Sequence, residues 1–165
     1  MTDIAGKSLL FISMLGENEL FNPDYFGSLC SSGQEKDWIV DWFEPVAQET
    51  GFSLSGVDIC RGDALPAVDD VDCVILGGTM HVVTEDRPWL HALYAWLRRY
   101  RQAGKPLLGI CGGHQLVSTQ FEDGVLGGRA RGTLAGTYEI ELTDLGRQHP
   151  LFDGLSTSPR FNFAN

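Results

Sequence analysis

The chain of 165 residues has the length of one ordinary domain, and its composition, 43% hydrophobic and 21% charged, is that of a globular protein and excludes a disordered or fibrous chain. Twelve Lys and Arg against 22 Asp and Glu give a formal net charge of -10, so we expect neither nucleic acid nor an anionic membrane surface as a partner. The apolar runs are far shorter than the roughly 20 residues of a membrane span, and no secretory signal precedes them, so we expect a cytoplasmic protein.

The cysteine pattern excludes two further classes of protein. The four cysteines contain no Cys-x-x-Cys pair, which argues against a zinc site and against a small disulfide scaffold. Nothing else in the sequence indicates a bound group, so we expect no metal and no cofactor. Each cysteine is therefore considered alone: Cys30, Cys60, Cys73 and Cys111.

The first third of the chain predicts one βαβ unit. The apolar run 9–12 is typical of a strand buried on both faces, and the Gly-, Asn- and Ser-rich segment 16–33 is typical of a loop. The alternating segment 52–59 predicts a second strand. Between them a helix is expected, and Gly51 would end it in the left-handed conformation.

Two patterns define that helix. Ser32 and Glu35 have the spacing of a capping box, which predicts a helix start. Apolar residues then recur at i, i+3, i+4 and i+7, which predicts an amphipathic helix with these residues on its apolar face: Ile39, Trp42, Phe43 and Val46.

The middle of the chain predicts a second set of alternating strands and helices. The segment 71–78 is a strand that ends at two glycines, and 106–111 is a buried strand that runs into a helix over 113–121. Pro88 is suited to the first position of the helix between them. The expected buried stripe of that helix consists of Trp89, Leu93, Trp96, Leu97 and Tyr100.

The last part predicts isolated strands. Residues 138–142 alternate as a strand that is antiparallel or at an edge, and Phe161 and Phe163 alternate as the start of another. The whole pattern predicts an α/β fold, a doubly wound and mostly parallel sheet with helices on both faces, as a single domain over residues 1–165.

The most informative position is Cys111, which lies where a buried strand must turn sharply into a helix. A side chain there is lifted out at the carboxyl edge of the sheet, where ligands bind in such folds. Flanking glycines permit a strained backbone and close approach of a substrate, and the helix N-terminus favours the thiolate form. The sequence therefore predicts a nucleophilic cysteine.

The residues around this position resemble those of a known family. The segment 109–115, Gly-Ile-Cys-Gly-Gly-His-Gln, looks like the nucleophile motif of class I (triad-type) glutamine amidotransferases, and Ile75-Leu76-Gly77-Gly78 resembles the family's second glycine loop. The resemblance implies a flavodoxin-like α/β fold. It also implies hydrolysis of the side-chain amide of glutamine through a thioester on Cys111, with ammonia supplied to a partner synthase or synthase domain.

The resemblance also implies roles for individual residues. The backbone N–H groups of Gly78 and Gly112 would stabilise the oxyanion of the tetrahedral intermediate. Gln115 would contact the bound glutamine, and Gly77 is assigned with it to substrate binding.

The catalytic base is missing from the pattern. By the resemblance neither His114 nor His149 is catalytic. From their positions, His91 on the exposed side of its helix is expected to be structural, and His81 is expected to be a solvated loop residue, with a place in the lining of the site as the alternative. The family's His-x-Glu pair normally falls just beyond a segment like 159–163, so we expect it within ~3 to 15 residues after Asn165. The catalytic set would then be C-terminally incomplete, and the 165-residue chain alone inactive.

Three alternatives remain open from the sequence. One is a non-catalytic relative that binds glutamine or a partner protein, and another is a γ-glutamyl hydrolase of the same superfamily. A third is a stress-response hydrolase with a cysteine elbow, but such proteins usually carry a glutamate ahead of the cysteine, and Gln115 would be unexplained.

Overall fold

The computed structural model describes residues 5–16, 22–128, 130 and 132–164. The chain consists of two compact units, Met1–Leu126 and Gly127–Asn165. The prediction of one amidotransferase-like domain over residues 1–165 stays a prediction. The loop expected at 16–33 falls partly outside the described residues; within them, Pro23–Ser28 forms a short 3-10 helix that Asn22 caps by accepting a hydrogen bond from the Asp24 N–H at 3.0 Å.

The first unit contains a four-stranded parallel sheet. Its strands are β1 (Ser8–Ser13), β2 (Ser53–Asp58), β3 (Cys73–Leu76) and β4 (Leu107–Gly109). Their order is β2-β1-β3-β4, and all three pairings are parallel. The carboxyl ends are in register, since Ile12 pairs with Leu76 and Leu76 with Gly109. The four predicted strands and the α/β class are confirmed.

Three helices connect or follow these strands: α1 (Glu35–Thr50), α2 (Pro88–Gln102) and α3 (Gly112–Phe121). The connection through α1 leads from β1 to β2, toward one edge of the sheet. The connection through α2 leads from β3 to β4, toward the opposite edge. Because such crossovers are right-handed, the two helices lie on opposite faces of the sheet. This arrangement is the doubly wound fold that the sequence predicts.

Helix α2 forms the largest part of the core. The predicted stripe is buried, and Leu90 joins it. These side chains pack with Leu10, Ile12, Val74, Leu76 and Leu116. Trp96 donates its indole N–H to the Pro66 carbonyl at 2.7 Å, and the Tyr100 hydroxyl donates to the Pro106 carbonyl at 3.0 Å, so the polar atoms of both rings are satisfied.

The predicted capping box of α1 is wrong. The helix begins after Gln34 without a side-chain cap, and the Ser32 hydroxyl instead accepts from the Gln34 N–H at 3.2 Å. Glu35 points to the end of β1, where it accepts from the Ser13 hydroxyl at 2.7 Å. Glu35 therefore bonds to Ser13, a residue of another element, and not to the backbone N–H of Ser32 as a capping box requires. The predicted left-handed end of the helix at Gly51 is confirmed, with φ of 75°.

The predicted apolar face of α1 is only partly buried, since Ile39 and Phe43 are half-buried and the other two residues are exposed. Trp42 is 64% exposed and Val46 is 46% exposed, whereas Ala47 is the buried residue of the helix. Trp42 stacks on Trp38 at 5.8 Å between ring centroids. The exposed Trp42 therefore packs on a neighbouring aromatic ring of the same helix, and its place in the apolar periodicity does not indicate burial.

The second unit contains a two-stranded antiparallel sheet. It pairs β5 (Ala135–Glu139) with β6 (Arg160–Ala164), and the short helix α4 (Asp144–Arg147) lies between them in sequence. The antiparallel strand predicted at 138–142 begins earlier than expected, and the strand predicted around Phe161 is confirmed. None of the helices in the described ranges has the length and apolar character needed to cross a bilayer.

Candidate active site

Cys111 lies at a strained turn between β4 and α3. It has φ of 52° and ψ of -113°, which is unusual for a residue other than glycine, and its side chain is exposed. The turn depends on glycine, because a Cβ added at Gly109 would lie 2.5 Å from the carbonyl carbon of Gly113. A Cβ at Gly113 would lie 2.6 Å from the Leu76 carbonyl oxygen. Backbone strain of this kind concentrates at functional sites.

The glycines that follow β3 lie beside this turn. A Cβ built on Gly78 would be 3.6 Å from Cys111 Cβ and 3.9 Å from its Sγ. The Gly113 N–H donates to the Gly77 carbonyl at 3.0 Å, and the Ile110 N–H donates to the Leu76 carbonyl at 2.9 Å. The structure therefore brings together Gly77, Gly78, Cys111 and Gly112, which the sequence assigned to one site.

Gly112 has little free space around it. A Cβ at this position would lie 2.8 Å from the Thr79 backbone nitrogen and would also meet the Thr79 methyl group. Gly112 is the first residue of α3, a helix of ten residues. The partial positive charge of that helix end lies at Cys111 and favours an anion there.

Gln115 is half-buried on the first turn of α3, and its N–H donates to the Cys111 carbonyl at 3.1 Å. This position follows the cysteine by one turn, as the sequence implied. Its contact with glutamine stays a prediction.

The structure places the four histidines in different surroundings. His114 is exposed on α3, and His91 Nε2 lies 3.0 Å from Asp86. His149 accepts from the Leu151 N–H at 3.2 Å in the second unit. His81 was expected to be solvated, but it is only 5% exposed, since its ring packs edge-on against Trp89. The identity of the catalytic base stays a prediction.

The comparisons agree with this geometry. Residues 44–142, more than half of the chain, match the family model of the CobB/CobQ-like glutamine amidotransferase domain. The chain belongs to the CobB/CobQ-like glutamine amidotransferase family. It is thus a class I glutamine amidotransferase domain, as the motif at Cys111 predicts, and the family to which it belongs is one of enzymes.

Two curated relatives share part of this amidotransferase domain. The cobyric acid synthase of Mycolicibacterium gilvum is 40% identical over 78 residues, which cover 45% of this chain and 16% of the relative. That of Herpetosiphon aurantiacus is 28% identical over 109 residues, which cover 66% of this chain and 21% of the relative. The chain therefore spans about a fifth or less of the length of these curated relatives.

A solved structure supports the fold. A glutamine amidotransferase from Thermotoga maritima superposes with a TM-score of 0.71 at 18% sequence identity, covering 96% of this chain and 60% of that chain. At this identity the likeness shows the fold of the amidotransferase domain alone.

A second polar cluster lies at the carboxyl ends of β1 and β2 in the amidotransferase domain, and sequence reasoning missed it. Asp58 is 2% exposed and accepts from the N–H groups of Cys60 and Arg61, at 3.1 and 3.2 Å. Glu35, which accepts from the Ser13 hydroxyl, lies close enough to Asp58 for the two carboxyl groups to interact electrostatically. The available sequence signal for this cluster was Asp58 at the end of β2. Glu35 on α1 is distant from it in sequence, so the sequence did not indicate that the two lie together.

The carboxyl groups of this cluster hold their protons more tightly than usual. Burial raises the pKa of Glu35 from 4.5 to about 7; the hydrogen bond from Ser13 opposes this effect, and the charge of Asp58 adds to it. Burial also raises the pKa of Asp58, against the hydrogen bond from the Arg61 N–H. In the described part of the chain, no group of three or more His, Cys, Asp or Glu residues is arranged to hold a metal ion.

Proposed function

We propose that this domain hydrolyses the side-chain amide of glutamine. The Cys111 thiolate attacks the amide carbonyl carbon, and the carbon–sulfur bond forms as the carbonyl oxygen becomes an oxyanion. The oxyanion collapses, the carbon–nitrogen bond breaks, and the nitrogen leaves as ammonia after accepting a proton. Water then attacks the glutamyl thioester, which releases glutamate and restores the thiol.

The N–H groups of Gly78 and Gly112 would donate to the oxyanion, and Gln115 with Gly77 would contact the bound glutamine. The observation that carries this proposal is the packing of Gly78 against the exposed Cys111 at the N-terminus of α3. Backbone donors on both sides of a nucleophile are the arrangement that acyl transfer needs, because the negative charge develops on the carbonyl oxygen.

The base and the ammonia acceptor complete the proposal. We infer that a histidine oriented by a carboxylate accepts the thiol proton and returns it to the leaving ammonia. We also infer that the ammonia passes to a synthase partner or domain, since the curated relatives are synthases of which this region is a small part.

The test is ammonia release from glutamine by the natural protein, measured beside its Cys111→Ala and Cys30→Ala variants. We expect release by the parent and by Cys30→Ala, and none above background from Cys111→Ala. We expect none from residues 1–165 alone. Binding of glutamine without any release by the natural protein would instead support the non-catalytic alternative.

A further inference from the structure

The segment between Gly78 and α2, residues 79–87, is organised around one carboxylate. We call this segment the oxyanion loop. Glu85 Oε1 accepts from the Val82 N–H at 3.1 Å, and the Glu85 N–H donates back to the Val82 carbonyl at 2.9 Å. Glu85 Oε2 accepts from Arg87 Nε at 2.6 Å and lies 3.4 Å from His81 Nδ1. Both oxygens of Glu85 are therefore used within the loop.

Contacts lead from Glu85 to the nucleophile turn. His81 donates its backbone N–H to the Thr79 hydroxyl at 3.1 Å. Thr79 is the residue against which Gly112 packs, and it follows Gly78, which packs against Cys111. The position of Thr79 thus affects both backbone donors of the proposed oxyanion site.

The other side of the oxyanion loop is anchored in the core. Val83 is fully buried, and its carbonyl accepts a hydrogen bond from the Tyr94 hydroxyl on α2. His81 is buried beside Trp89, at the start of the same helix. Glu85 connects these anchored residues, since it contacts Val82 and His81 on the side of the nucleophile and Arg87 on the side of α2.

We propose that Glu85 is a positioning residue for acyl transfer, which holds the oxyanion loop so that the Gly78 and Gly112 N–H groups face the developing oxyanion. This inference rests on the proposed function, because the oxyanion arises in glutamine hydrolysis. Glu85 itself need not touch the substrate. Its carboxylate is suited to the role, since it accepts from donors on both sides of the turn and the Arg87 guanidinium keeps its pKa below the usual value.

The first experiment is steady-state glutamine hydrolysis by the natural protein and three variants. We expect Glu85→Ala to lower kcat about 10-fold with little change in KM, a smaller loss than the roughly 100-fold or more that follows outright removal of an oxyanion donor. Glu85→Gln should recover part of the rate, because its amide oxygen can still accept from the Val82 N–H while its amide nitrogen cannot accept from Arg87. Asp86→Ala is the matched control, since its side chain is 96% exposed and lies beside His91, and its kcat should be unchanged.

A second readout separates positioning from general damage. Alkylation of Cys111 by iodoacetamide displaces iodide from a saturated carbon and forms no oxyanion, so its rate should be the same in Glu85→Ala and the parent. Hydrogen exchange at the amides of residues 77–83 should be faster in Glu85→Ala, and unchanged in the peptide that covers α2.

Three results would overturn the inference. One is an unchanged kcat in Glu85→Ala, and another is an unchanged amide exchange in residues 77–83. Equal losses of kcat and of alkylation rate would also contradict it, because they would indicate a damaged nucleophile. If the parent releases no ammonia, the proposed function and the catalytic role of Glu85 both fail, while the exchange measurement still decides whether Glu85 holds the loop.

Discussion

Glu35 should make the folded protein less stable as the pH rises, and the replacement Glu35→Gln should remove this dependence. Below pH 4.5 the carboxyl group is protonated in both the folded and the unfolded chain. Between pH 4.5 and about 7 the unfolded chain has lost this proton and the folded chain retains it. Unfolding therefore becomes more favourable as the pH rises, and the loss is complete above about pH 7.

The size of the effect follows from the raised pKa. A change from 4.5 to about 7 corresponds to about 3 kcal/mol of unfolding free energy, at about 1.4 kcal/mol for each pH unit. This value is an upper bound, since the ionised side chain can relax toward water. The hydrogen bond from the Ser13 hydroxyl opposes such a movement of the Glu35 side chain.

The assay is urea unfolding followed by tryptophan fluorescence at pH 5, 6, 7 and 8. Other carboxyl groups titrate in the same range, so the informative quantity is the difference in unfolding free energy between Glu35→Gln and the parent. This difference should shift in favour of the variant by ~1 to 3 kcal/mol between pH 5 and pH 8. Glu44→Gln, an exposed position on the same helix, should show no such change. A difference for Glu35→Gln that is constant with pH would refute the reasoning.

Two further predictions concern the nucleophile turn and the core. Replacing Gly78 or Gly112 with Val should lower kcat for glutamine more than it raises KM, since a side chain at Gly78 would lie against Cys111 and one at Gly112 would meet Thr79; unchanged kinetics in both variants would remove the proposed oxyanion site. Leu93→Ala should lower the free energy of unfolding by about 2 to 5 kcal/mol because Leu93 is fully buried in α2. Val125→Ala, at a position 94% exposed, should stay within about 0.5 kcal/mol of the parent in the same urea titration.

The parts of the fold that the sequence predicted correctly have local and repeated signals. Buried parallel strands are short apolar runs, and α2 carries a complete apolar stripe behind Pro88. The meeting of Gly78 with Cys111 was also predictable, because each follows a strand and the carboxyl ends of parallel strands lie at one edge.

The incorrect predictions concern residues whose contacts in the folded chain are not specified by their local spacing. Glu35 has capping-box spacing from Ser32, but it bonds to Ser13, a residue of another element. Trp42 has the spacing of a residue on the apolar face of α1, but its exposed ring stacks on Trp38 instead of entering the core. His81 lies in a loop, which suggested exposure, but the loop folds back over Trp89. Local spacing could not distinguish these outcomes.

The most direct test of the central claim is to trap the intermediate on the cysteine. The natural protein would be mixed with glutamine, quenched in acid within its first turnovers and digested, and the peptides analysed by mass spectrometry. The account predicts a glutamyl thioester on the peptide that contains Cys111, and its loss after treatment with neutral hydroxylamine. A glutamyl adduct on Cys30, Cys60 or Cys73, or ammonia release with full activity in the Cys111→Ala variant, would contradict it.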